Sequence, residues 1–337
     1  MFRCTNCDLM VVFESHRCVR CDTELGFDPG SRQIVTTPAR RCANAVLANC
    51  NWVLAAHDPN SLCLSCRLTR TRPPDHDAES HGQFVQTETA KRRLVFDLLD
   101  LGLPVVPKAD EPARGLAFDL LSSRFEPVTI GHDDGLITID VAESNDAHRA
   151  LVREQLDEPY RTMLGHLRHE VGHYYWSVLV YGTALHPRFR EVFGDERADY
   201  TDATARHYAS RPLQPFPAGH VSAYATMHPW EDWAETFAHY VHIRATLHTA
   251  AAYGVTVAGP AWADATVADA LASTPRDDVT NEPFSAIVQQ WLPLTYALNA
   301  INRSMGDSDL YPFVLTPAVI DKLAFVHAVV RSADARQ

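Results

Sequence analysis

All eight cysteines of this 337-residue chain lie within its first 66 residues, and six of them form C-x-x-C pairs. A C-x-x-C turn aims two thiolates at one metal ion, so the spacing predicts two zinc ribbons in tandem. Disulfides are expected in exported proteins, and the N-terminus shows no hydrophobic signal segment. The predicted clusters are Cys4, Cys7, Cys18 and Cys21 for the first zinc and Cys42, Cys50, Cys63 and Cys66 for the second.

The charge of the ribbons and of the whole chain limits their partners. Residues 1–72 carry nine arginines against six acidic residues, and each zinc tetrathiolate adds two negative charges. The loaded segment is therefore close to neutral, and the chain has a net charge of −12. Nucleic acid and anionic membranes are unlikely partners on this balance, because phosphate binding needs a basic surface. We expect the ribbons to staple the domain or to dock a protein partner.

A second metal-binding pattern is the pentapeptide HEVGH at residues 169–173, within a stretch whose apolar residues have helical spacing. Residues four apart share one face of a helix, so the imidazoles of His169 and His173 can bind one ion. Glu170 lies at the edge of that face, where it can serve as a base toward a water molecule activated by the ion. The competing interpretation is a surface helix that carries His and Glu by chance.

The segment 224–240 offers a third ligand. Pro229 suits the first turn of a helix, and Glu231 and Glu235 lie one turn apart on it. Two carboxylates on a partly apolar surface resist burial unless something positive holds them. Glu231 as third ligand and Glu235 as acceptor from a ligand imidazole would explain the pair, and two exposed carboxylates are the alternative. Other candidate ligands, which more commonly cap a helix, are Asp195, Glu196 and Asp199.

Two domains and a linker are predicted from the course of the chain. Pro73-Pro74 and the polar residues after them indicate a linker over residues 73–86. It separates the tandem zinc-ribbon domain, residues 1–72, from a larger domain, residues 87–337. An apolar content of 46% suffices for a core. The patterns predict an α+β class that is mainly helical, with a small β-hairpin sheet.

Local patterns place the elements of the larger domain. Thr87 begins one predicted helix, and Asn145 caps another that extends to Glu158. The strand 136–142 is a candidate sheet edge for an extended peptide, with an ordinary internal strand as the equal alternative. The remaining predicted elements are strands at 116–121 and 128–130, a helix at 284–305 interrupted near Pro293, and a final helix from Pro317.

The motifs as a set resemble a known class of enzyme. H-E-x-x-H followed by E-x-x-x-E on a later helix resembles the gluzincin zinc peptidases, and Tyr224, seven residues before Glu231, makes the pattern similar to anthrax lethal factor. With the ribbon and the segments RHEVGHYYW, FGDERADY and HPWEDWAETFAHY, the chain looks like a bacterial family of zinc-binding metallopeptidases with a zinc-ribbon head. The resemblance runs from Cys4 to about Gly254.

This resemblance implies a zincin-like fold for the larger domain, one catalytic and two structural zinc ions, and a peptide or protein substrate. It implies that Glu170 is the general base and acid and that Tyr224 donates a hydrogen bond to the oxyanion. The 57 residues between His173 and Glu231 leave room for an inserted helical region. The implied zinc site consists of His169, His173 and Glu231, with Glu235 beside it.

Two other classes of function stay open. One is a protein-interaction module whose ribbons carry the function and whose peptidase site is inactive, and the other is a zinc hydrolase of non-peptide amides. Glu170 and Tyr224 favour the peptidase, because a mere binder needs no base beside the metal. No apolar stretch approaches the length of a membrane span, so we expect a soluble cytoplasmic protein.

Overall fold

The computed structural model describes most of the chain and divides it into two compact units. The described residues are 2–36, 40–124, 126–145, 162–209, 217–260 and 265–334. Unit 1 comprises the described parts of Met1–Asp100, Pro104–Val152 and Thr162–Leu167. Unit 2 comprises those of Leu101–Leu103 and Arg168–Gln337.

The described residues of 1–72, which we call the ribbon segment, are built from short hairpins and tight turns. Asp8 and Asp22, which directly follow the first two C-x-x-C pairs, both adopt left-handed backbone angles, with φ of 58° and 59°. This conformation lets the Asp8 N–H donate to Cys4 O at 2.8 Å and the Asp22 N–H donate to Cys18 O at 2.9 Å. The elements are β1 (Phe2–Arg3), β2 (Met10–Val11), β3 (Leu25–Asp28), β4 (Gln33–Thr36) and α1 (Leu64–Arg67).

Helix α2 (Ala78–Asp100) packs against the ribbon segment. It begins nine residues before the Thr87 predicted from the sequence, so most of the expected linker is helical. The cause is Phe84, which is buried and extends the apolar face of the helix towards its N-terminus. Further along, the ring of Phe96 lies 5.3 Å from that of Phe13 and 5.7 Å from that of Phe27. The ribbon segment therefore has an aromatic core that it shares with α2.

The sheet of unit 1 has the strand order β5-β6-β8-β7. The inner strand β8 pairs in parallel with β6 and antiparallel with β7, so of the two equal alternatives for residues 136–142 the internal strand is confirmed and the sheet edge is not. A two-residue turn with positive φ at Asp134 and Gly135 closes the β7–β8 hairpin, which places β7 later than the predicted 128–130. The strands are β5 (Thr69–Thr71), β6 (Ala117–Leu121), β7 (Gly131–Asp133) and β8 (Leu136–Asp140).

Unit 2 is mainly helical. The predicted interruption near Pro293 is wrong, because this buried proline lies within one continuous helix. The helix predicted from Asn145 to Glu158 lies outside the described residues after Asn145. The helices are α3 (Met163–Tyr175, of which the part from Arg168 belongs to unit 2), α4 (His186–Phe193), α5 (Tyr200–Ala209), α6 (Pro229–Ala252), α7 (Ala265–Ala270), α8 (Phe284–Ser304) and α9 (Pro317–Asp334).

Two shorter elements complete unit 2. A π-helical turn, Trp176–Val180, directly follows α3, and the strands β9 (Val257–Ala258) and β10 (Ala272–Ser273) pair antiparallel. Helix α6 passes through the core, where Trp233, Phe237 and other apolar side chains are fully buried. Among the described helices, none is both long and apolar enough to cross a membrane.

Candidate metal centre

Helices α3 and α6 approach each other closely at Gly172. A Cβ atom built on Gly172 would lie 3.0 Å from Ala234 Cα and 3.3 Å from Phe237 Cβ, so a larger residue would have to push α6 away. The indole N–H of Trp233 donates to Gly172 O at 2.8 Å and joins the two helices directly. The H-E-x-x-H face of α3 is thereby held against the first turns of α6.

This approach brings the predicted donors together. Glu231 Oε2 lies 3.0 Å from His169 Nε2 and 3.4 Å from His173 Nε2, and the ligand atoms of these three residues all lie within 4.8 Å of one another. All three side chains are buried. We refer to them as the open cluster. Two imidazole nitrogens and one carboxylate oxygen form the donor set of a His₂Glu zinc site, so the residues present fit the ion that the sequence implies.

The start of α6 determines the position of Glu231. His228 is the N-cap, and its Nδ1 accepts from the backbone N–H of Trp230, while its Nε2 side donates to Ala198 O at 3.1 Å. Pro229 follows at the first helical position, as expected. Glu231 therefore lies in the first turn, where the positive end of the helix dipole favours a carboxylate. The ring of Trp230 packs on the imidazole of His173, with centroids 4.1 Å apart.

Glu235 occupies a position behind His169, one turn after Glu231. Its Oε1 lies 2.7 Å from His169 Nδ1, and its Oε2 accepts from the hydroxyl of Ser222 at 2.6 Å. The His169 Nδ1–H thus donates to Glu235, and Nε2 faces the open cluster. The predicted place of Glu235 beside a ligand imidazole matches this geometry. Ser222 was not predicted, because no sequence pattern identifies a single serine as part of a site.

Charge balance in the open cluster depends on its close packing. Burial alone would raise the pKa of Glu231, but His173 and His169 outweigh it and hold that pKa well below its usual range. For His169, burial would lower the pKa, but Glu231 and Glu235 outweigh it and hold that pKa well above its usual range. A buried carboxylate at this point keeps its charge only with positive charge beside it, and a divalent cation meets that requirement.

The two predicted catalytic residues lie beside the open cluster. Glu170 is buried and directly follows His169 on α3. The ring of Tyr224 lies 5.9 Å from that of His169, between centroids, and 5.7 Å from that of His207. The structure thus places a carboxylate and a phenol next to the three donors.

Tyr200 is a site residue that the sequence reasoning missed. Its hydroxyl donates to Glu231 Oε1 at 2.9 Å. Burial, followed by the charge of Glu231, raises its pKa, so the phenol stays protonated. Tyr200 is the last residue of the FGDERADY segment, so its place beside three candidate ligands could have identified it. The sequence prediction considered only the acidic residues of that segment.

Those acidic residues have other roles. Glu196 accepts from the guanidinium of Arg190, which lowers its pKa to about 2. Asp195 pairs with Arg197, and Asp199 Oδ1 accepts from the backbone N–H of residue 202 at the start of α5. The alternative that they bind the catalytic metal finds no support among the described residues, where none of them belongs to the open cluster. Of the three, Asp199 caps a helix as expected, whereas Asp195 and Glu196 pair with arginines instead.

The cysteines form the two predicted clusters in unit 1. In each cluster the four Sγ atoms lie within 4.8 Å of one another. The Cys4–Cys21, Cys7–Cys18 and Cys50–Cys63 sulfur atoms are 3.6, 3.5 and 3.7 Å apart, far longer than a disulfide bond of about 2.05 Å. All eight are free thiols at the spacing that a shared ion requires. We call them the first and second cysteine clusters.

A buried arginine lies beside the second cysteine cluster. Arg92 of α2 is 2% exposed, and its guanidinium donates to Ala48 O and to Asn49 O, each at 3.2 Å. These carbonyls directly precede Cys50. Arg92 also lies 3.8 Å from Glu88, which forms a fully buried ion pair with Lys91. The second cluster is therefore tied to α2 through hydrogen bonds of a charged group.

Comparison with known proteins supports both the zinc ribbon and the metallopeptidase region of this chain. A family model described as "Putative zinc-binding metallo-peptidase" matches residues 80–329, and one described as "zinc-ribbon domain" matches residues 1–40 and again 35–77. Curated relatives from Mycobacterium tuberculosis and Mycobacterium bovis, each carrying the name "Uncharacterized protein", are 46% identical over 334 residues, which cover 98% of this chain and 94% of theirs. No solved structure matches, so the likeness to anthrax lethal factor stays a prediction.

Proposed function

The chain belongs to this family of zinc-binding metallopeptidases with an N-terminal zinc ribbon, and we propose that it hydrolyses peptide bonds at the open cluster. The observation that carries the proposal is the meeting of His169, His173 and Glu231 from two helices, with Glu170 beside them. Three donors leave a fourth position for water and substrate, which distinguishes a catalytic from a structural zinc site. The gluzincin subclass and the zincin-like fold belong to the same proposal.

The chemistry follows from the residues at the cluster. Zn²⁺, when held by His169, His173 and Glu231, supplies a Lewis acid that polarises a carbonyl and lowers the pKa of water toward ~7. Glu170 takes the proton from the attacking water and delivers it to the amine that leaves. The Tyr224 hydroxyl donates to the carbonyl oxygen as that oxygen gains negative charge, a contact that is worth about 3 kcal/mol in comparable sites.

The surrounding side chains keep these groups oriented. Glu235 accepts from His169 Nδ1–H and fixes the tautomer in which Nε2 faces the cluster, while Ser222 holds the other oxygen of Glu235. The two cysteine clusters hold the two structural zinc ions and give the ribbon segment its shape. A protein partner that docks on the ribbons would bring substrates to the enzyme, and the substrate itself is a peptide or protein.

Replacing Glu170 tests the function. We expect the wild-type protein to contain three zinc ions and to cleave members of a quenched fluorescent peptide library. Glu170→Gln removes the base but no metal ligand, so it should keep three zinc ions while hydrolysis falls by roughly 10²–10⁴-fold. Mass spectrometry of the native protein gives the zinc count, and fluorescence gives the rate.

The matched control is Glu191→Gln, which changes an exposed carboxylate on α4 that pairs with Arg188. It should keep both the zinc content and the rate. Full hydrolysis by Glu170→Gln would remove the proposed base. Three zinc ions with peptide binding and no cleavage by the wild type would favour the protein-interaction module.

A further inference from the structure

The two oxygens of Glu231 have different surroundings. Oε2 lies within 3.4 Å of both imidazole Nε2 atoms, whereas Oε1 accepts a hydrogen bond from the hydroxyl of Tyr200 at 2.9 Å. We propose that Tyr200 is a positioning residue that reserves Oε1, so that Glu231 binds the ion through Oε2 alone. The proposal rests on the proposed function only in taking Glu231 as a ligand.

The fold holds the hydroxyl of Tyr200 at this place. Tyr200 is the first residue of α5, and its ring packs edge-on against His228, with centroids 5.3 Å apart. His228 caps α6 and donates to Ala198 O, two residues before Tyr200. The residue that starts the helix bearing Glu231 thus also fixes the start of the helix bearing Tyr200. The contact with His228 holds the phenol near the carboxylate, although Tyr200 is 41% exposed.

The phenol is also kept as a donor. A tyrosine hydroxyl carries one proton near neutral pH, and the 2.9 Å contact directs that proton to Oε1.

This arrangement matters for the number of ligands. A carboxylate with one oxygen held by a tyrosine offers one oxygen to the ion, which keeps the protein donors at three and leaves room for water and a carbonyl. Without the hydroxyl, both oxygens of Glu231 are free to bind. A second carboxylate oxygen on the ion would take up the space that the reaction needs.

Cobalt spectroscopy of the full chain tests this without any substrate. The open cluster is emptied with a chelator while the cysteine clusters keep their zinc, and Co²⁺ is then added to the wild type and to Tyr200→Phe. We expect weaker visible d–d bands per bound Co²⁺ in Tyr200→Phe, because absorption falls as the coordination number rises. In zinc-loaded protein, we expect kcat to fall by roughly 10-fold with KM unchanged.

The control variant is Tyr296→Phe, which removes the hydroxyl of an exposed tyrosine on α8 and should leave the Co²⁺ bands as in the wild type. Identical bands in Tyr200→Phe and wild type would overturn the role of Tyr200. Weakened bands support it whether or not the wild type cleaves peptides, since the spectrum reports only on the ligands. Failure of all cleavage by a wild type with normal bands would instead reject the peptidase.

Discussion

The cysteine clusters and the open cluster both bring metal-binding side chains together, but their donors are separated by very different distances along the sequence. Each cysteine cluster gathers four thiolates from tight turns close together in the chain, and the first spans residues 4–21. The open cluster gathers three donors from two helices, with 57 residues between His173 and Glu231. Four thiolates complete a tetrahedron around zinc, whereas three donors leave one position for chemistry. The number of donors thus separates the two proposed structural sites from the proposed catalytic one.

The two cysteine clusters differ from each other as well. In the first, Cys7 and Cys21 are partly exposed, while in the second all four cysteines are at most 2% exposed. The second also has Arg92 beside it, whose charge offsets that of a zinc tetrathiolate. A buried anionic centre needs such a partner, and an exposed one is stabilised by water instead. We therefore expect the second cluster to contribute more to stability.

The largest expected effect is the loss of a thiolate from the second cluster. A structural zinc contributes about 10–16 kcal/mol of binding free energy, comparable with the whole stability of a domain, ~5–15 kcal/mol. Cys66→Ser should therefore release the second zinc and unfold the ribbon segment, whereas Cys21→Ser, at the more exposed cluster, should cost less. Zinc content and thermal unfolding measure both. Equal losses of Tm in the two variants would contradict the difference between the clusters.

Next in size is the loss of the carboxylate ligand from the open cluster. Glu231→Gln leaves no negative charge among the three donors, so its zinc affinity should fall by roughly 10²–10³-fold, with two zinc ions kept by the cysteines. Glu235→Gln is the matched control one turn away, and its expected loss is only about 10–100-fold. Chelator titration followed by zinc analysis distinguishes them. A larger loss of zinc affinity in Glu235→Gln than in Glu231→Gln would mean that Glu235, not Glu231, is the ligand.

After the loss of a whole metal ligand, the expected effect of removing Arg92 comes last. Arg92→Met leaves Glu88 and two buried carbonyls without their charged donor, so the free energy of unfolding should fall by about 3 kcal/mol. Zinc should also leave the second cluster faster. The neighbouring Arg93→Met is the control, because that side chain is 51% exposed and pairs with Glu14 at the surface. Urea unfolding and a colorimetric zinc reporter measure both effects, and similar losses in the two variants would refute the role of Arg92.

Sequence patterns captured the parts of these sites that depend on local spacing. C-x-x-C turns, the i and i+4 histidines, and the glutamates one turn apart on α6 follow from a fixed backbone period, so their grouping could be predicted. Family matches then confirmed the zinc ribbons and the metallopeptidase family. The roles of the individual site residues remain predictions, with a geometry that favours them.

What was missed depends on tertiary contacts. Tyr200 and Ser222 act through single hydrogen bonds to Glu231 and Glu235 from elements that no periodicity connects. The interior place of β8 depends on β7 pairing with it, and the early start of α2 depends on the burial of Phe84. Each of these is decided by a neighbour distant in sequence or in pattern, which propensity alone does not reveal.

Gly172 has a consequence for the choice of metal. The absence of a side chain there sets how closely α3 and α6 pack, with Ala234 Cα only 3.0 Å from where a methyl group would stand. The imidazoles belong to α3 and the carboxylate to α6, so the distance between them depends on the distance between these two helices. We expect Gly172→Ala to move the helices apart by a few tenths of an ångström, which would widen the cluster and favour a cation larger than Zn²⁺, although residue 172 does not touch the ion.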